Sequence, residues 1–332
     1  MQQLQGKSIL FFCPSFFGYE KEIAEKLRDL GAMVDAYDER PKNNFVMKAS
    51  IRINKKLVKK AIAAYYGLIL KQTAHKTYDY VFVVNIEAML PAVLEKLKAQ
   101  QPKAIFILYM WDSLQNKKQT PEILPYFDRA YSFDPTDLTN IPGVKFRPLF
   151  FIDQYADLAK QKTEAVNGLS FIGTVHSDRY QLVKEVKKQV AAFNLRTSFF
   201  MYFPSPMLFA YKKLIDIKFY QAKYSEFNFH ALSQTEIIKR IANTKVVLDI
   251  QHPSQTGLTM RSLEMLGAQK KLITTNTAIR NYDFYHEQNI HIIDRQQPVL
   301  NQAFFESDYH PVAPDLYFKY SITGWLHDLF EL

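Results

Sequence analysis

Cys13 is the single cysteine of the 332-residue chain, so disulfides within the chain are excluded. Folds that depend on intrachain disulfides are therefore excluded. A single cysteine in a chain of this length is typical of a reducing compartment. Cys13 ends an apolar run, and we expect it to pack in a strand rather than to act as a nucleophile. No His, Cys or Asp cluster has metal-ligand spacing, so we expect neither a metal nor a cofactor.

Several phosphate and nucleophile fingerprints are also missing. The ten glycines of the chain form no Gly-Lys-Ser or Gly-Lys-Thr loop, no Gly-x-Gly-x-x-Gly after the first strand and no Gly-x-Ser-x-Gly elbow. This argues against a P-loop enzyme, a dehydrogenase and a serine hydrolase of the elbow type.

Long hydrophobic runs are absent as well. No apolar stretch approaches the length that crosses a bilayer. The run Ile9 to Cys13 is too short for a secretory signal and stops at Pro14. We therefore expect a cytoplasmic protein. An apolar content of 48% is enough for real cores, and the length suits about two domains.

Acidic residues are missing from positions 41 to 78, which hold nine of the basic residues and so equal the whole net charge of +9. If positions 52 to 70 are helical, one side carries Val58, Ala61, Ile62, Tyr65 and Ile69, and the other carries Arg52, Lys56 and Lys59. Such a helix has two interpretations. It packs on a sheet and leaves its charged face in solvent, or that face contacts anionic lipid or a lipid-linked phosphate. Nucleic acid is disfavoured, because no nucleic-acid module is visible. The proposed anionic contact patch consists of Arg52, Lys55, Lys56, Lys59 and Lys60.

Apolar runs alternate with helical patterns along most of the chain, which predicts an α/β fold with two Rossmann-like, doubly wound parallel sheets facing a cleft. We expect an N-terminal domain over 1–155, a second domain over 168–312 and a C-terminal segment, 313–332, that returns to the first domain. Tyr317 to Leu332 reads as one helix. Ser8 to Cys13 and Thr197 to Phe203 read as strands, Gly31 is placed to end a helix over Tyr19 to Leu30, and Ser233-Gln234-Thr235-Glu236 is a capping box at which a helix should begin. The stretch 204–229 lacks clean periodicity and is either a helical insertion or a loop that meets a partner.

In doubly wound sheets, ligands bind beyond the carboxyl ends of the strands. In the first domain this rule selects Ser15, Gly18, Tyr19, Asn85, Glu87 and Asp112. Asp112 follows an apolar strand and Trp111, so its pKa can be raised and it can act as a base; otherwise it caps a turn. Glu87 is a weaker candidate of the same kind. In the second domain the rule selects Gly173, His252 and Asn276, of which His252 either donates to a phosphate or sugar oxygen or is a surface residue.

The segment from Gly257 to Asn276 is the most informative. A helix predicted to open at Gly257 offers free N–H groups to an anion. Arg261 can pair with phosphate, and Glu264, one turn on, can accept from a sugar hydroxyl. The alternative is an ordinary helix that ends at Gly267, with Arg261 and Glu264 as a solvated pair.

This segment resembles the donor-binding region of GT-B glycosyltransferases, most closely the bacterial CgeB-like and lipopolysaccharide or capsule group. The resemblance lies in Val246 to Ile250, Gly257, Leu258, Arg261, Glu264 and Leu272 to Asn276; Phe171 to Thr174 with Arg179 resembles the first strand and loop of the donor domain. The resemblance implies that Gly257, Leu258 and Arg261 meet the phosphates and Glu264 meets the ribose. It also implies that the N-terminal domain holds the acceptor and that no metal is needed.

One position departs from this family. Many retaining members carry two glutamates eight positions apart, but here Thr256 stands where the first would be. The stereochemistry therefore stays open, and an inverting reaction would use Asp112 as its base.

The expected activity is transfer of a sugar from a nucleotide-diphosphate donor to a lipid-linked or oligosaccharide acceptor in lipopolysaccharide or capsular polysaccharide biosynthesis. It would take place at the inner face of the cell membrane. The alternatives are transfer of another nucleotide-activated group, such as a polyol phosphate, and a non-catalytic nucleotide or sugar sensor.

Overall fold

The computed structural model describes residues 3–42, 47, 51, 55–114, 120–161, 165–175, 178–253 and 256–332. The chain divides into two compact units. The first unit consists of Met1–Leu149 and Ile322–Leu332, and the second of Phe150–Ser321. Each unit contains one fully parallel sheet with helices, which confirms the predicted α/β class.

The first unit has a six-stranded sheet in the order β2-β1-β3-β4-β5-β6. Its strands are β1 (Ser8–Phe12), β2 (Met33–Tyr37), β3 (Tyr80–Val84), β4 (Ile105–Met110), β5 (Arg129–Ser132) and β6 (Val144–Phe146). Its helices are α1 (Tyr19–Asp29), α2 (Lys59–Thr73), α3 (Pro91–Gln100), α4 (Thr120–Ile123), α5 (Pro135–Asn140) and the C-terminal α13 (Ile322–Phe330). The strand order reverses between β1 and β3, which is the point where doubly wound sheets bind ligands.

The second unit has a five-stranded sheet in the order β11-β10-β9-β7-β8. Its strands are β7 (Asn167–Thr174), β8 (Thr197–Tyr202), β9 (Thr244–Asp249), β10 (Lys271–Thr274) and β11 (Ile290–Ile292). Its helices are α6 (Asp153–Lys160), α7 (Arg179–Ala191), α8 (Pro206–Ile215), α9 (Gln234–Ala242), α10 (Met260–Gly267), α11 (Gln302–Glu306) and α12 (Pro314–Tyr320). Here the order reverses between β7 and β9.

The central strands are apolar on both faces because helices cover both sides of a parallel sheet. Ile9 to Phe12 are buried, and Cys13 beside them is buried too, in keeping with a packing role. Helix α13 packs on the first sheet through its aromatic residues. The Trp325 ring lies 4.8 Å from the Tyr109 ring and 5.8 Å from the Phe82 ring.

The prediction of one helix from Tyr317 to Leu332 is wrong, since two helices occupy this stretch. Ser321 has an extended backbone with φ −71° and ψ 160°. The Tyr320 carbonyl accepts a hydrogen bond from the Phe151 N–H at 2.9 Å, and Ser321 forms a bridge with Phe151. The backbone is extended at Ser321 because it pairs there with a neighbouring segment.

Within the described part of the basic segment, the α-helix begins at Lys59, after a 3-10 turn over Lys55–Val58. Arg52 lies outside the described residues, and of Lys55 and Lys56 only the backbone is described. Lys59 and Lys60 are exposed. The buried face of α2 carries Ile62, Tyr66, Ile69, Leu70 and Thr73, whereas Ala61 is exposed. The apolar face is thus rotated from the predicted one.

In the second unit one local prediction is confirmed and one open alternative is resolved. The Ser233 hydroxyl accepts from the Glu236 N–H at 3.3 Å, and the Glu236 carboxylate accepts from the Ser233 N–H at 2.8 Å, so a capping box starts α9. The stretch 204–229 is a helical insertion, formed by α8 and two 3-10 turns at Ile217–Phe219 and Tyr224–Glu226.

Candidate functional site

Polar side chains converge at the carboxyl edge of the second sheet, where β7 and β9 end at Thr174 and Asp249. This is the point at which the strand order reverses. Neighbouring parallel strands place their carboxyl ends at the same edge, and a crevice forms there because the following loops diverge.

Helix α10 begins at Met260, with Thr259 as its N-cap. The Thr259 hydroxyl donates to Asp249 Oδ2 at 2.6 Å, and Ser262 Oγ donates to the same oxygen at 3.3 Å. The prediction that the helix opens at Gly257 is therefore wrong by about one turn, because the threonine cap fixes the start later. Gly257 and Leu258 are buried in the loop that leads into the helix.

Arg261 and Glu264 form an ion pair on α10, with Nη1 2.6 Å from Oε2. The Glu264 side chain is only 7% exposed, so the pair is buried rather than solvated. Tyr155 on α6 interacts with both side chains, and its pKa is raised by burial and by the charge of Glu264. Tyr155 lies more than a hundred residues away in sequence, so no local pattern could assign it to this site.

The sequence indicates Asp249 only as part of a strand, yet its carboxyl lies at the centre of this edge. Burial raises its pKa, while hydrogen bonds from Thr259 and Ser262 and the charges of Arg179 and Arg261 act in the opposite direction. The signal that could have found it is the one that selected Asp112, an acidic residue at the end of an apolar strand.

Arg179 is the first residue of α7 and donates to the Thr174 carbonyl at 2.9 Å. Burial lowers its pKa from the ordinary value. Its buried Nε–H has no hydrogen-bond partner among the described residues. A partly buried guanidinium of this kind has hydrogen-bonding capacity left for an anion.

Arg295, which follows β11, is a site residue that the sequence did not suggest. Its Nε and Nη2 donate to the Asp178 carboxylate at 2.6 and 2.9 Å, and this pairing lowers the pKa of Asp178. The same guanidinium reaches the Gln251 carbonyl at 2.9 Å and Thr275 Oγ1 at 3.3 Å. Arg295 thus ties together the loops that follow three strands.

Three further residues predicted for the donor site, Asn276, His252 and Gly173, lie in loops or at a strand end around it. Asn276 Nδ2 donates to the carbonyls of Thr256 and Gly257, both at 3.3 Å, so its side chain holds the loop before α10. His252 is exposed. A Cβ at Gly173 would lie 3.0 Å from the Phe171 ring, so the glycine allows close packing at the end of β7.

In the first unit, the carboxyl edge brings Asn85, Glu87 and Asp112 together. Asn85 has a left-handed φ of 50°, and its Nδ2 donates to Glu87 Oε1 and to Asp112 Oδ2, each at 3.3 Å. Asp112 is exposed, whereas Glu87 is buried and lies 3.5 Å from Arg40 Nη1. Asp112 is therefore the carboxylate of this group that a substrate can reach.

The loop after β1 is held by side-chain hydrogen bonds and by a glycine. Ser15 Oγ donates to Glu20 Oε1 at 2.9 Å. Gly18 has φ 85° at the N-cap of α1, a conformation that favours glycine. Tyr19, the first residue of α1, is buried, with 4% of its surface exposed.

Glu39 is a further acidic residue that sequence reasoning missed. Its Oε1 accepts the N–H groups of Glu87, Ala88 and Met89 at 2.8, 2.6 and 2.7 Å. Burial raises its pKa to about 8. The three donors act against this shift, but they all meet one oxygen, and Oε2 has no partner in the described part of the chain. Glu39 therefore organises the loop that carries Glu87.

Within the described ranges, no group of three or more His, Cys, Asp or Glu side chains could hold a metal ion. None of the helices described there is long and apolar enough to cross a membrane.

The chain matches no protein-family model and no curated protein sequence. It is similar in structure to an alpha-glucosyltransferase in complex with UDP and a 13-mer DNA, with a TM-score of 0.62 and 14% identity over 98% of each chain. It is also similar to Anabaena HepE in complex with UDP and glucose, with a TM-score of 0.58 and 11% identity over 98% of each chain. A third similar structure is the lipopolysaccharide outer core galactosyltransferase WaaB in apo form, with a TM-score of 0.52 and 12% identity over 98% of this chain and 99% of that one. Because these matches extend over nearly the whole of each chain, they show that the protein has the GT-B fold.

Proposed function

We propose that the protein is a glycosyltransferase that moves a sugar from a nucleotide-diphosphate donor to a lipid-linked saccharide acceptor in the biosynthesis of lipopolysaccharide or capsular polysaccharide. The GT-B fold supports this proposal, since the structures it resembles include one described as an alpha-glucosyltransferase and one described as a galactosyltransferase. Two of the three contain UDP. The observation that carries it is Arg179 at the start of α7, a partly buried cation whose buried Nε–H has no hydrogen-bond partner among the described residues.

The polar groups around Arg179 suit an anionic ligand. Arg179 and Arg261 both act electrostatically on Asp249, and Arg295 acts on Arg179. Glu264 is matched by Arg261 and Asp178 by Arg295. The Arg179 Nε–H, which has no hydrogen-bond partner among the described residues, would donate to a diphosphate, and this contact needs no metal ion.

The start of α10 is the place we assign to the phosphates. The first N–H groups of a helix have no partner inside it, and the helix dipole favours an anion there. Gly257 and Leu258 bring the backbone to this end. In our proposal Arg261 turns from Glu264 to the phosphates, and the released carboxylate of Glu264 accepts a ribose hydroxyl. Gly173, His252 and Asn276 would border the donor.

For the acceptor we assign the carboxyl edge of the first unit, with Ser15, Gly18, Tyr19 and Asn85. Asp112 is the proposed base for an inverting reaction, because it is exposed and oriented by Asn85. It would take the proton from the acceptor hydroxyl as that oxygen attacks the anomeric carbon and the nucleotide diphosphate departs. Glu87, buried beside Arg40, would position this group.

We also propose that the protein works at the cytoplasmic face of the membrane, where the basic patch of Arg52, Lys55, Lys56, Lys59 and Lys60 would attract anionic lipid. Replacing Lys55, Lys56, Lys59 and Lys60 by glutamine should weaken binding to anionic vesicles. Unchanged flotation of this variant would remove the patch from the proposal.

A thermal-shift screen with UDP, GDP, CMP and dTDP sugars tests the donor site. We expect one nucleotide family to raise the Tm of the wild type and of Arg196→Gln, an exposed control in the same unit, but not of Arg179→Gln. If no nucleotide raises the Tm, or if Arg179→Gln responds like the wild type, the proposal is wrong.

The same screen separates the alternatives. A response to a nucleotide-activated polyol phosphate and not to nucleotide sugars would indicate transfer of that group. Binding of a nucleotide sugar without hydrolysis or transfer to any saccharide acceptor would indicate a sensor.

A further inference from the structure

The helical insertion exposes an unusually apolar surface. Six large side chains between positions 207 and 220 are at least 59% exposed, namely Met207, Tyr211, Leu214, Ile215, Ile217 and Tyr220. Met207, Leu214 and Ile217 are 85, 86 and 90% exposed. Contiguous exposed apolar side chains of this size mark an interaction surface, whereas scattered single ones do not. We name these six residues the apolar face of the insertion.

The apolar face is held outward by a folded core beneath it. On α8, Met207, Tyr211 and Leu214 recur at helical spacing, while Phe209 on the opposite side is buried. The Phe209 ring lies 4.9 Å from the Phe227 ring, and the Phe219 ring stacks on Tyr180 at 5.1 Å. The inner side of the insertion is therefore packed against other aromatic side chains. Its outer apolar residues stay exposed in the described part of this unit.

Lysines border this face, and the acidic residues of the insertion are engaged elsewhere. Lys218 and Lys223 are exposed. Asp216 is half-buried and lies 3.9 Å from Lys212 Nζ, and Glu226 accepts hydrogen bonds from the Tyr180 hydroxyl and the Lys223 N–H. The solvent-facing charge around the apolar face is consequently positive.

We infer that this face docks on an anionic lipid bilayer. A short helix with exposed Met, Leu and Ile, tyrosines and flanking lysines has the composition of an element that lies in the membrane interface. The aliphatic side chains enter the acyl boundary, the tyrosine hydroxyls stay at headgroup level, and Lys218 and Lys223 meet lipid phosphates.

Charge favours a bilayer over a second copy of the chain as the occupant. A two-fold dimer through this face would bring the exposed Lys218 and Lys223 of both copies into one interface, where like charges repel. Anionic lipid removes this penalty. This docking surface is separate from the basic patch near Lys59 and does not depend on glycosyl transfer.

Vesicle flotation of the full chain without nucleotide tests the inference. The probes are phosphatidylcholine vesicles with and without phosphatidylglycerol. The variant Met207→Ser/Leu214→Ser/Ile217→Ser should lose about tenfold or more in partitioning to the anionic vesicles. The matched control is Met33→Ser/Val166→Ser/Val299→Ser, whose parent side chains are 62, 53 and 69% exposed elsewhere, and it should partition like the wild type. Lys218→Gln/Lys223→Gln should lose binding to anionic vesicles in the same direction.

Three outcomes would overturn the inference. The first is that the insertion variant floats as the wild type does, and the second is that the two triple variants lose binding equally. The third is that light scattering shows a wild-type dimer that the insertion variant converts to a monomer. The Tm response to nucleotides, measured on the same proteins, keeps the two proposals apart. Vesicle binding without any Tm response to nucleotides would contradict the proposed transferase function and support the docking surface.

Discussion

The guanidinium of Arg261 lies 2.6 Å from the carboxylate of Glu264, one turn further along α10, and both side chains are largely buried. Arg261 and Glu264, which we propose bind the donor, form an ion pair with each other in this structure. Tyr155 completes the group from α6. Donor binding would exchange this pair for contacts with phosphate and ribose, so substitutions here affect stability as well as binding.

Glu264→Ala should lower the free energy of unfolding by about 3–5 kcal/mol, because it leaves the Arg261 charge buried without its partner. The double variant Arg261→Met/Glu264→Ala should recover much of that loss, since no unpaired charge remains. Denaturant unfolding of the wild type, both single variants and the double variant measures the coupling. Additive losses would show that the pair contributes nothing to stability, contrary to this expectation.

Gly267→Ala should destabilise the second unit by about 1–3 kcal/mol, as overpacked cores do. The added Cβ would lie 2.5 Å from Phe151 Cγ and 2.8 Å from Phe151 Cβ. The backbone fixes that Cβ, and the ring of Phe151 is buried, so it has little room to turn away. Gly67→Ala on α2 is the matched control. Its Cβ would meet nothing within 4 Å, and the gain in helix propensity should stabilise the protein by about 1 kcal/mol. Equal thermal stability of the two variants would contradict the packing argument.

Glu39 should make the protein less stable as the pH rises. Its pKa is about 8 in the folded chain against an ordinary value of 4.5, so between these values the folded state keeps a proton that the unfolded state has released. The free energy of unfolding should fall by about 1.4 kcal/mol per pH unit across this window. Urea unfolding at a series of pH values measures the slope.

The control for this measurement is Glu25, which is exposed on α1. Glu39→Gln should flatten the pH profile between 4.5 and about 8, whereas Glu25→Gln should leave it unchanged. A wild-type slope that survives in Glu39→Gln would assign the titration to another group.

Asp112→Asn should reduce kcat by about 10²–10⁴-fold if Asp112 is the base of the proposed reaction. The change should leave Tm and donor affinity nearly unaltered, because Asp112 is exposed and lies outside the donor unit. Asp29→Asn, at a position that is 69% exposed in its side chain, is the control. Full activity of Asp112→Asn would exclude it as the base.

Much of the local structure could be predicted from sequence. The apolar runs marked the buried strands, and their ends differ from the observed ones by about one residue at Ser8–Phe12 and Thr197–Tyr202. Gly31, with φ 97°, ends the first helix region where it was expected to. Helix α10 ends at Gly267, as predicted, but the left-handed residue beyond it is Gln269, and Gly267 lies where Phe151 leaves no room for a Cβ.

The sequence by itself determined the α/β class, the strand positions, the capping box at Ser233 and the strand ends where a ligand site should lie, because hydrophobic periodicity and capping are local in the chain. Only the tertiary structure revealed the parts played by Tyr155, Arg295 and Glu39, the bend at Ser321 and the outward face of α8. Each depends on which distant segment packs against the residue, since burial and charge pairing are set by neighbours in space rather than in sequence.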